Sequence, residues 1–200
     1  MARYRNSRIV PIILIVVVSV IAIAALVSLA RAIFFSGTPQ TAEKVDVSRE
    51  ALLATDADRR VTMTVRGPIV ADESFQSYRI TVTPSARSLV TYNGYLDRVV
   101  DEVRLANNTA AYEQFVFALD RAELARGEAF TGDRNDVRGI CATGRVVEFA
   151  IINKEEVVKQ LWTSTCRGST GSLDASVDQL TNLFVSQIPS GRTTINKINL

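Results

Sequence analysis

Residues 9–30 read IVPIILIVVVSVIAIAALVSLA and contain no charged side chain. A helix of about 20 apolar residues is long enough to cross the hydrocarbon core of a bilayer. Basic residues concentrate before this segment, where Arg3, Arg5 and Arg8 lie, and only Arg31 follows it closely. Because basic residues beside a transmembrane helix stay in the cytoplasm, the sequence predicts a single-pass membrane protein with a signal anchor. Its N-terminus is cytoplasmic and its C-terminal part lies outside.

A cleaved secretory signal peptide is the alternative interpretation of the same segment. Residues 30–32 read Ala-Arg-Ala, which has the small-x-small form of a cleavage site. However, an apolar core of about 22 residues is longer than the 7–15 residues that are usual in a signal peptide. Both interpretations place the rest of the chain outside the cytoplasm, either on the cell membrane or secreted.

The predicted topology divides the chain into four parts. These are a cytoplasmic basic tail (1–8), a transmembrane helix (9–35), a linker (36–47) and an extracytoplasmic domain (48–200). Membrane lipid is therefore the expected partner of the second part. Ala24, Ser28 and Ala32 recur every four residues along it, and such a face of small side chains lets two transmembrane helices pair.

Composition excludes several classes of function. The chain contains no histidine, so it lacks the usual general base at neutral pH and the commonest zinc ligand. Four of its 23 basic residues flank the apolar segment, which leaves 19 basic and 21 acidic residues from residue 36 onward. The outer part therefore has no basic excess of the kind that nucleic-acid binding requires. We expect no cofactor, no metal and no nucleic-acid partner.

Cys141 and Cys166 are the only cysteines, and a location outside the cytoplasm permits them to form a disulfide. The chain between them contains two segments rich in β-branched residues, 146–152 and 157–163, which are joined by a short polar turn. Such segments are typical of a β-hairpin. The cysteines thus lie just before and just after a predicted hairpin.

The register of this hairpin predicts a structural disulfide. If Ile152 pairs with Val157, the two cysteines Cys141 and Cys166 fall nearly opposite each other at the base of the hairpin, within one bulge of register. Trp162 lies in the second strand, close to the expected bridge. Aromatic side chains beside a disulfide usually pack in a core, so we expect Trp162 to be buried.

The outer part is predicted to be an α+β domain of antiparallel hairpins with two packed helices, in the order hairpin, helix, hairpin, helix. Alternating apolar and polar residues predict strands at 61–65, 78–82 and 88–92. Residues 96–105 fit both a helical and an alternating pattern, but the preceding Asn93-Gly94 turn favours a strand. Tight turns between strands imply antiparallel pairing, with the helices packed on one face.

Helical spacing of apolar residues predicts two main helices, at residues 109–124 and near residues 174–187. Asn108 or Thr109 is expected to cap the first of them. A shorter helix is predicted to begin at Ser48. The last residues, 194–200, are interpreted as a terminal strand.

Two polar loops, residues 67–74 and 127–139, are the candidate functional sites, because loops carry function more often than strands do. Their candidate side chains are Asp72, Glu73, Asp133, Asn135 and Asp136. A calcium loop would need a closing glutamate where Gly144 stands, and adjacent carboxylates do not face each other as a glycosidase pair must. We therefore interpret these residues as a surface for a partner.

Four segments carry a resemblance to known proteins. They read RGPIVADE (66–73), AYEQF (111–115), GICATG (139–144) and LWTSTC (161–166). Together with the N-terminal apolar segment, they resemble an uncharacterised family of small, single-pass, membrane-anchored bacterial extracytoplasmic proteins. The resemblance extends over most of the chain and implies a place in the cell envelope. It implies no activity and no functional residues.

Three functional hypotheses remain. The favoured one is a non-catalytic, membrane-tethered domain that binds a protein or another component of the cell envelope. A histidine-free envelope hydrolase or transferase would instead need a deep pocket in which carboxyl groups with raised pKa converge. A pilin-like or other assembly subunit is the third hypothesis. Pilins share a glycine cleavage site followed by a glutamate in the apolar run, and the sequence has neither feature.

Overall fold

The computed structural model describes residues 9–34, 47–198 and 200. The predicted basic tail, residues 1–8, lies outside this part of the chain. The predicted linker also lies outside it, apart from Val47, which begins a helix. The predictions that concern the tail and the linker therefore stay predictions.

The chain divides into two compact units, and the first comprises residues 1–45. It contains helix α1 (Ile9–Phe34), whose side chains are described for residues 14–27 and are exposed throughout that range. The predicted face for helix pairing consists of Ala24, Ser28 and Ala32. The side chains of Ser28 and Ala32 are not among those that the structure describes. Within the part of the chain that the structure describes, no helix has both the length and the apolarity needed to cross a membrane.

The second unit, residues 46–200, is built on a six-stranded antiparallel sheet. Its strands are β1 (Arg59–Arg66), β2 (Gln76–Val82), β3 (Ala86–Asn93), β4 (Arg98–Ala106), β5 (Val146–Asn153) and β6 (Glu156–Ser164). They lie in the order β4-β3-β2-β1-β5-β6. The first four strands form a continuous meander, and the hairpin of β5 and β6 joins the free side of β1. The predicted α+β class is confirmed, as is a strand within residues 96–105.

Within residues 47–198, four α-helices accompany the sheet. They are α2 (Val47–Leu53), α3 (Thr109–Arg121), α4 (Val177–Ser186) and α5 (Gly191–Ile195). The side chain of Asn108 accepts a hydrogen bond from the backbone N–H of Ala111 and so caps α3, as the sequence predicts. Ser176 caps α4 in the same way by accepting from Gln179.

The four strands predicted before the helix α3 are present. The summary order of one hairpin before each helix is wrong, because both the 83–85 turn and the Asn93-Gly94 turn join neighbouring strands and make a single meander. The predicted terminal strand at 194–200 is also wrong, since α5 occupies its beginning. There the backbone N–H of Thr194 bonds to the carbonyl of Ser190, and that of Asn196 bonds to Arg192. These local bonds satisfy the backbone without a neighbouring strand.

The helices cover one face of the sheet and form the main hydrophobic core with it. Along β1 this face carries Val61, Met63 and Val65, which are almost completely buried. Phe184 of α4 lies at the centre, with its ring centroid 5.2 Å from that of Phe115 and 5.7 Å from that of Phe149. Helices α3 and α4 are thereby joined to each other and to β5. Alternation along the strands places polar residues on the opposite face, here called the outer face.

The predicted disulfide hairpin is confirmed. Ile152 pairs with Val157, and the register shifts by one residue next to this pair. Cys141 and Cys166 are bonded, with their Cα atoms 5.4 Å apart. Trp162 is buried against this bridge in a second apolar cluster, which lies on the outer face and holds down the loop between α3 and β5.

We expect the double substitution Cys141→Ser/Cys166→Ser to lower the free energy of unfolding by about 3 kcal/mol, because the bridge restricts the unfolded chain. The residues it links are 25 apart in sequence. Urea denaturation of the full chain measures the change. Wild-type protein with its disulfide reduced is the matched control and should lose the same amount. A loss below about 1 kcal/mol would show that packing alone holds the loop.

Candidate functional site

A cleft of about 670 Å³ opens on the outer face of the sheet. Its floor is formed by the adjoining ends of β1 and β5 and by the middle of β6. One wall is the loop that follows β1, together with Tyr95 of the turn before β4. The other wall is the loop that the disulfide fixes, from Asn135 to Cys141. Both loops that the sequence singles out as functional candidates therefore border the same cleft.

Tyr95 organises the first wall. Its ring stacks on Phe75 with 4.2 Å between the ring centroids. Its hydroxyl donates a hydrogen bond of 2.7 Å to the carbonyl of Val70 and accepts one of 3.1 Å from the N–H of the same residue. The Asp72 carboxylate accepts from the backbone N–H of Tyr95 at 2.8 Å. Gly94 adopts a φ of 76°, and a β-carbon there would lie only 3.0 Å from the Asp72 carboxylate.

Three polar side chains form the floor. Arg66 donates from Nε to Glu148 Oε1 at 2.8 Å, and Gln160 donates from Nε2 to Glu148 Oε2 at 3.0 Å. The Glu148 side chain is only 12% exposed, and that of Arg66 is 34% exposed. A carboxylate that is removed from water in this way is stable only with such partners. The floor thus holds an arginine and a glutamate whose positions are fixed by hydrogen bonds and whose opposite charges balance each other.

The second wall contains a polar atom without a partner. Asn135 ends a short 3-10 helix (Gly132–Asn135) and borders the cleft. Its Oδ1 atom is buried and accepts no hydrogen bond from the residues that the structure describes. The two walls are linked behind the cleft, since the N–H of Ile69 donates to the carbonyl of Ala142 at 2.9 Å. Within the described residues, this wall therefore carries the free-energy cost of a buried acceptor that has no donor.

Asp136 and Arg138 form an ion pair on the rim of the second wall. The Arg138 Nε donates to both carboxylate oxygens of Asp136, at 2.9 and 2.8 Å, and its backbone N–H donates to Oδ1 at 3.0 Å. Hydrogen bonds from the Arg138 side chain lower the pKa of Asp136 to about 2. Asp136 is therefore ionised at neutral pH and is unsuited to act as a general acid.

A second hollow of about 340 Å³ continues the cleft along the outer face, because Glu148 and Gln160 line both. Its surface is polar and contains Arg60 and Arg79 together with a group of threonines. Arg79 donates to the hydroxyl of Thr64 and lies over a tyrosine ring. None of the ion pairs between described residues involves Arg60 or Arg79. This end of the outer face is therefore positively charged.

The five predicted site residues take three different positions. Asn135 and Asp136 line the cleft. Asp72 and Glu73 support the first wall instead, through the Asp72 carboxylate and through the Glu73 carbonyl, which accepts from a side-chain amide. Asp133 lies in the short 3-10 helix and does not line the cleft.

Sequence reasoning missed the floor of the site. Arg66, Glu148 and Gln160 are the residues concerned. The available signal was alternation, and it is clear only for Glu148, which lies between Val147 and Phe149. That pattern alone also fits an ordinary solvent-facing residue. Only the pairing of β1 with β5 brings Arg66 beside Glu148.

The carboxylates that line the cleft are engaged by arginine and glutamine partners. Across the described residues, no three His, Cys, Asp or Glu side chains lie together as a metal site would require. Comparison of the chain with models of known protein families gives no match, and comparison with curated proteins gives no significant one.

We expect the Asp136 carboxyl to titrate with a midpoint of about 2, against 3.8 for an unperturbed aspartate. Its pKa is lowered in the folded state, so the contribution to stability is present above pH 3.8 and is lost as the pH falls through about 2. Carbon NMR of the side-chain carboxyl group measures this midpoint.

The substitution Arg138→Gln should move the Asp136 midpoint upward, toward 3.8, because it removes the main donor. Arg134→Gln is the matched control. Arg134 belongs to the same loop but lies over the ring of Phe130, so its loss should leave the midpoint unchanged. Equal midpoints in the wild type and the Arg138→Gln variant would contradict the assignment.

Proposed function

We propose that this protein is a membrane-tethered, extracytoplasmic binding domain that holds its ligand in the outer-face cleft without catalysing a reaction. The observation that carries the proposal is the cleft itself. Its walls are mainly apolar, its floor is a fixed polar cluster, and two separate loops are bonded together to shape it. Concave, largely apolar sites with a few convergent polar groups are typical of ligand binding.

The chemistry of the lining indicates an amphipathic ligand. Ile69, Phe75 and Val137 offer apolar surface, which favours a ligand with an apolar or aromatic group. Arg66, Glu148 and Gln160 border the same space, which favours a polar group on that ligand that can hydrogen-bond to the floor. The adjoining hollow with Arg60 would then face any acidic group that extends beyond the cleft. A peptide or an envelope component with these groups fits the site.

The proposed location depends on the N-terminal segment. Residues 14–27 of α1 expose apolar side chains on every side of the helix, which is typical of a helix surrounded by lipid or by other apolar groups. The arginines before it favour a cytoplasmic N-terminus, so the binding domain would lie outside the cell membrane. The disulfide is consistent with that compartment. Secretion after cleavage of the segment is the alternative.

Photo-crosslinking in the cells that produce the protein tests the binding function. We would replace Ile69 by p-benzoylphenylalanine, because Ile69 lines the cleft and is 48% exposed, so the larger ring fits without disturbing the core. The matched control places the same group at Phe117, an aromatic residue of α3 that is 43% exposed and remote from the cleft lining. Mass spectrometry identifies what each variant captures.

A discrete adduct at position 69 that is absent at position 117 is the expected result. The additional substitution Tyr95→Ala should reduce this adduct at least tenfold, because it removes the ring and the hydroxyl that order the first wall. Identical adducts at both positions, or no adduct from a folded protein, would contradict a specific cleft ligand.

The tether is tested by the mass of the protein recovered from cells. A retained anchor predicts an intact N-terminal segment and a protein that stays with the membrane fraction after washing at high pH. The cleavage alternative predicts a chain that begins near Ala32 and remains in the soluble fraction. Intact-mass spectrometry of both fractions separates these results, and recovery of the shortened chain would overturn the tether.

A further inference from the structure

The two edges of the sheet are treated differently. At one edge, the segment 169–173 covers the C-terminal end of β6: the N–H groups of Ser172 and Leu173 both donate to the carbonyl of Trp162, at 2.9 and 3.0 Å. Gly171 permits this contact, since a β-carbon there would lie 2.1 Å from that carbonyl oxygen. That end of β6 is thereby closed to a further strand.

The other edge, β4, has no such cover among the described residues. Strand β4 pairs with β3 alone, and no segment beyond it donates to or accepts from its backbone in the part of the chain that the structure describes. Its side chains are exposed from Arg98 to Glu102 and include two valines. Val103 and Leu105 are only partly buried at the margin of the main core. A long, open edge is a template for pairing with another strand.

The charges of β4 are complementary to a second copy in one antiparallel register. If Val103 lies opposite Val103 of a second copy, Glu102 of each chain lies opposite Arg104 of the other. This places two opposite-charge pairs side by side on the outer face. On the helix-covered face the two Val103 side chains then meet and extend the apolar core, while Leu105 of each copy lies opposite Asp101 of the other. None of the ion pairs between described residues already engages Glu102 or Arg104.

Neighbouring registers are worse. Centring the pair on Glu102 sets glutamate against glutamate, and centring it on Arg104 sets arginine against arginine. Shifting one strand by a single residue would set positions of the helix-covered face opposite positions of the outer face. Val103 would then be exposed. The register centred on Val103 is therefore the one that combines opposite charges with continued burial.

We propose that the partner of β4 is a second copy of this chain, and that the two copies form a continuous twelve-stranded sheet. The two-fold axis passes through the Val103 pair at right angles to the sheet. Both helix layers then lie on one side, and both clefts open on the other. The dimer thus presents two ligand sites on one face. This inference does not depend on what the cleft binds.

Charge reversal tests the interface on the full chain purified in detergent, with light scattering as the measure of oligomeric state. Glu102→Arg creates two arginine–arginine pairs and Arg104→Glu creates two glutamate–glutamate pairs. Each single variant should raise the dimer dissociation constant about tenfold or more. The double variant, and an equimolar mixture of the two single variants, restores opposite charges at both positions and should restore the dimer.

A cysteine at the two-fold axis gives a second measure. Both native cysteines are already bonded to each other, so Val103→Cys adds a single reactive thiol. Mild oxidation should link two copies of this variant, whereas Glu113→Cys on the exposed side of α3 should stay unlinked. A monomeric wild type would overturn the proposal. Dimers that are indifferent to every charge reversal would also overturn it, because they would arise elsewhere in the chain.

Discussion

The site depends on the register in which β1 pairs with β5. These strands are about 80 residues apart in sequence, yet Arg66 lies directly opposite Val146 and two positions along β1 from Thr64, the partner of Glu148. A slip of one residue would turn Arg66 toward the core and Val65 toward solvent. The apolar residues of β1 on the helix-covered face therefore fix the register, and the register in turn fixes the charges of the cleft floor. Core packing and site geometry are determined together.

The two faces of the sheet have different roles, since one packs against the helices and the other forms the cleft. The inner face is occupied by helices, and its aromatic contacts between α3, α4 and β5 stabilise the domain. The outer face is left open except where the disulfide-fixed loop lies across it, and the cleft forms at the boundary between covered and open surface. Because the Trp162 cluster anchors that loop, the wall of the cleft is held by packing that is separate from the main core. Substitutions in the wall can therefore alter the site with little effect on the core.

Local patterns predicted much of this fold, and long-range contacts account for what they missed. The Ile152 and Val157 pairing, the disulfide and the Asn108 cap all follow from residues that are close in sequence. The helix α5 was missed because the polar residues after Gly191 have no clear period. Asn135 and Asp136 were singled out as oxygen-rich, and they line the cleft. The floor was not foreseen, since nothing near Arg66 in sequence reveals that Glu148 will lie beside it.

Because β1 lies in the middle of the sheet, its position also determines the order in which the strands can pair during synthesis. A ribosome releases β1 to β4 first, and these strands can pair as a local meander at once. The other side of β1 stays unpaired until residues 146–153 have been made, and these emerge only after α3 and the long loop. Until that moment the strand that will lie in the middle of the sheet is an open edge bearing Val61, Met63 and Val65. A chain that folds during synthesis passes through this exposed intermediate each time, so protection by a chaperone would matter most in that interval.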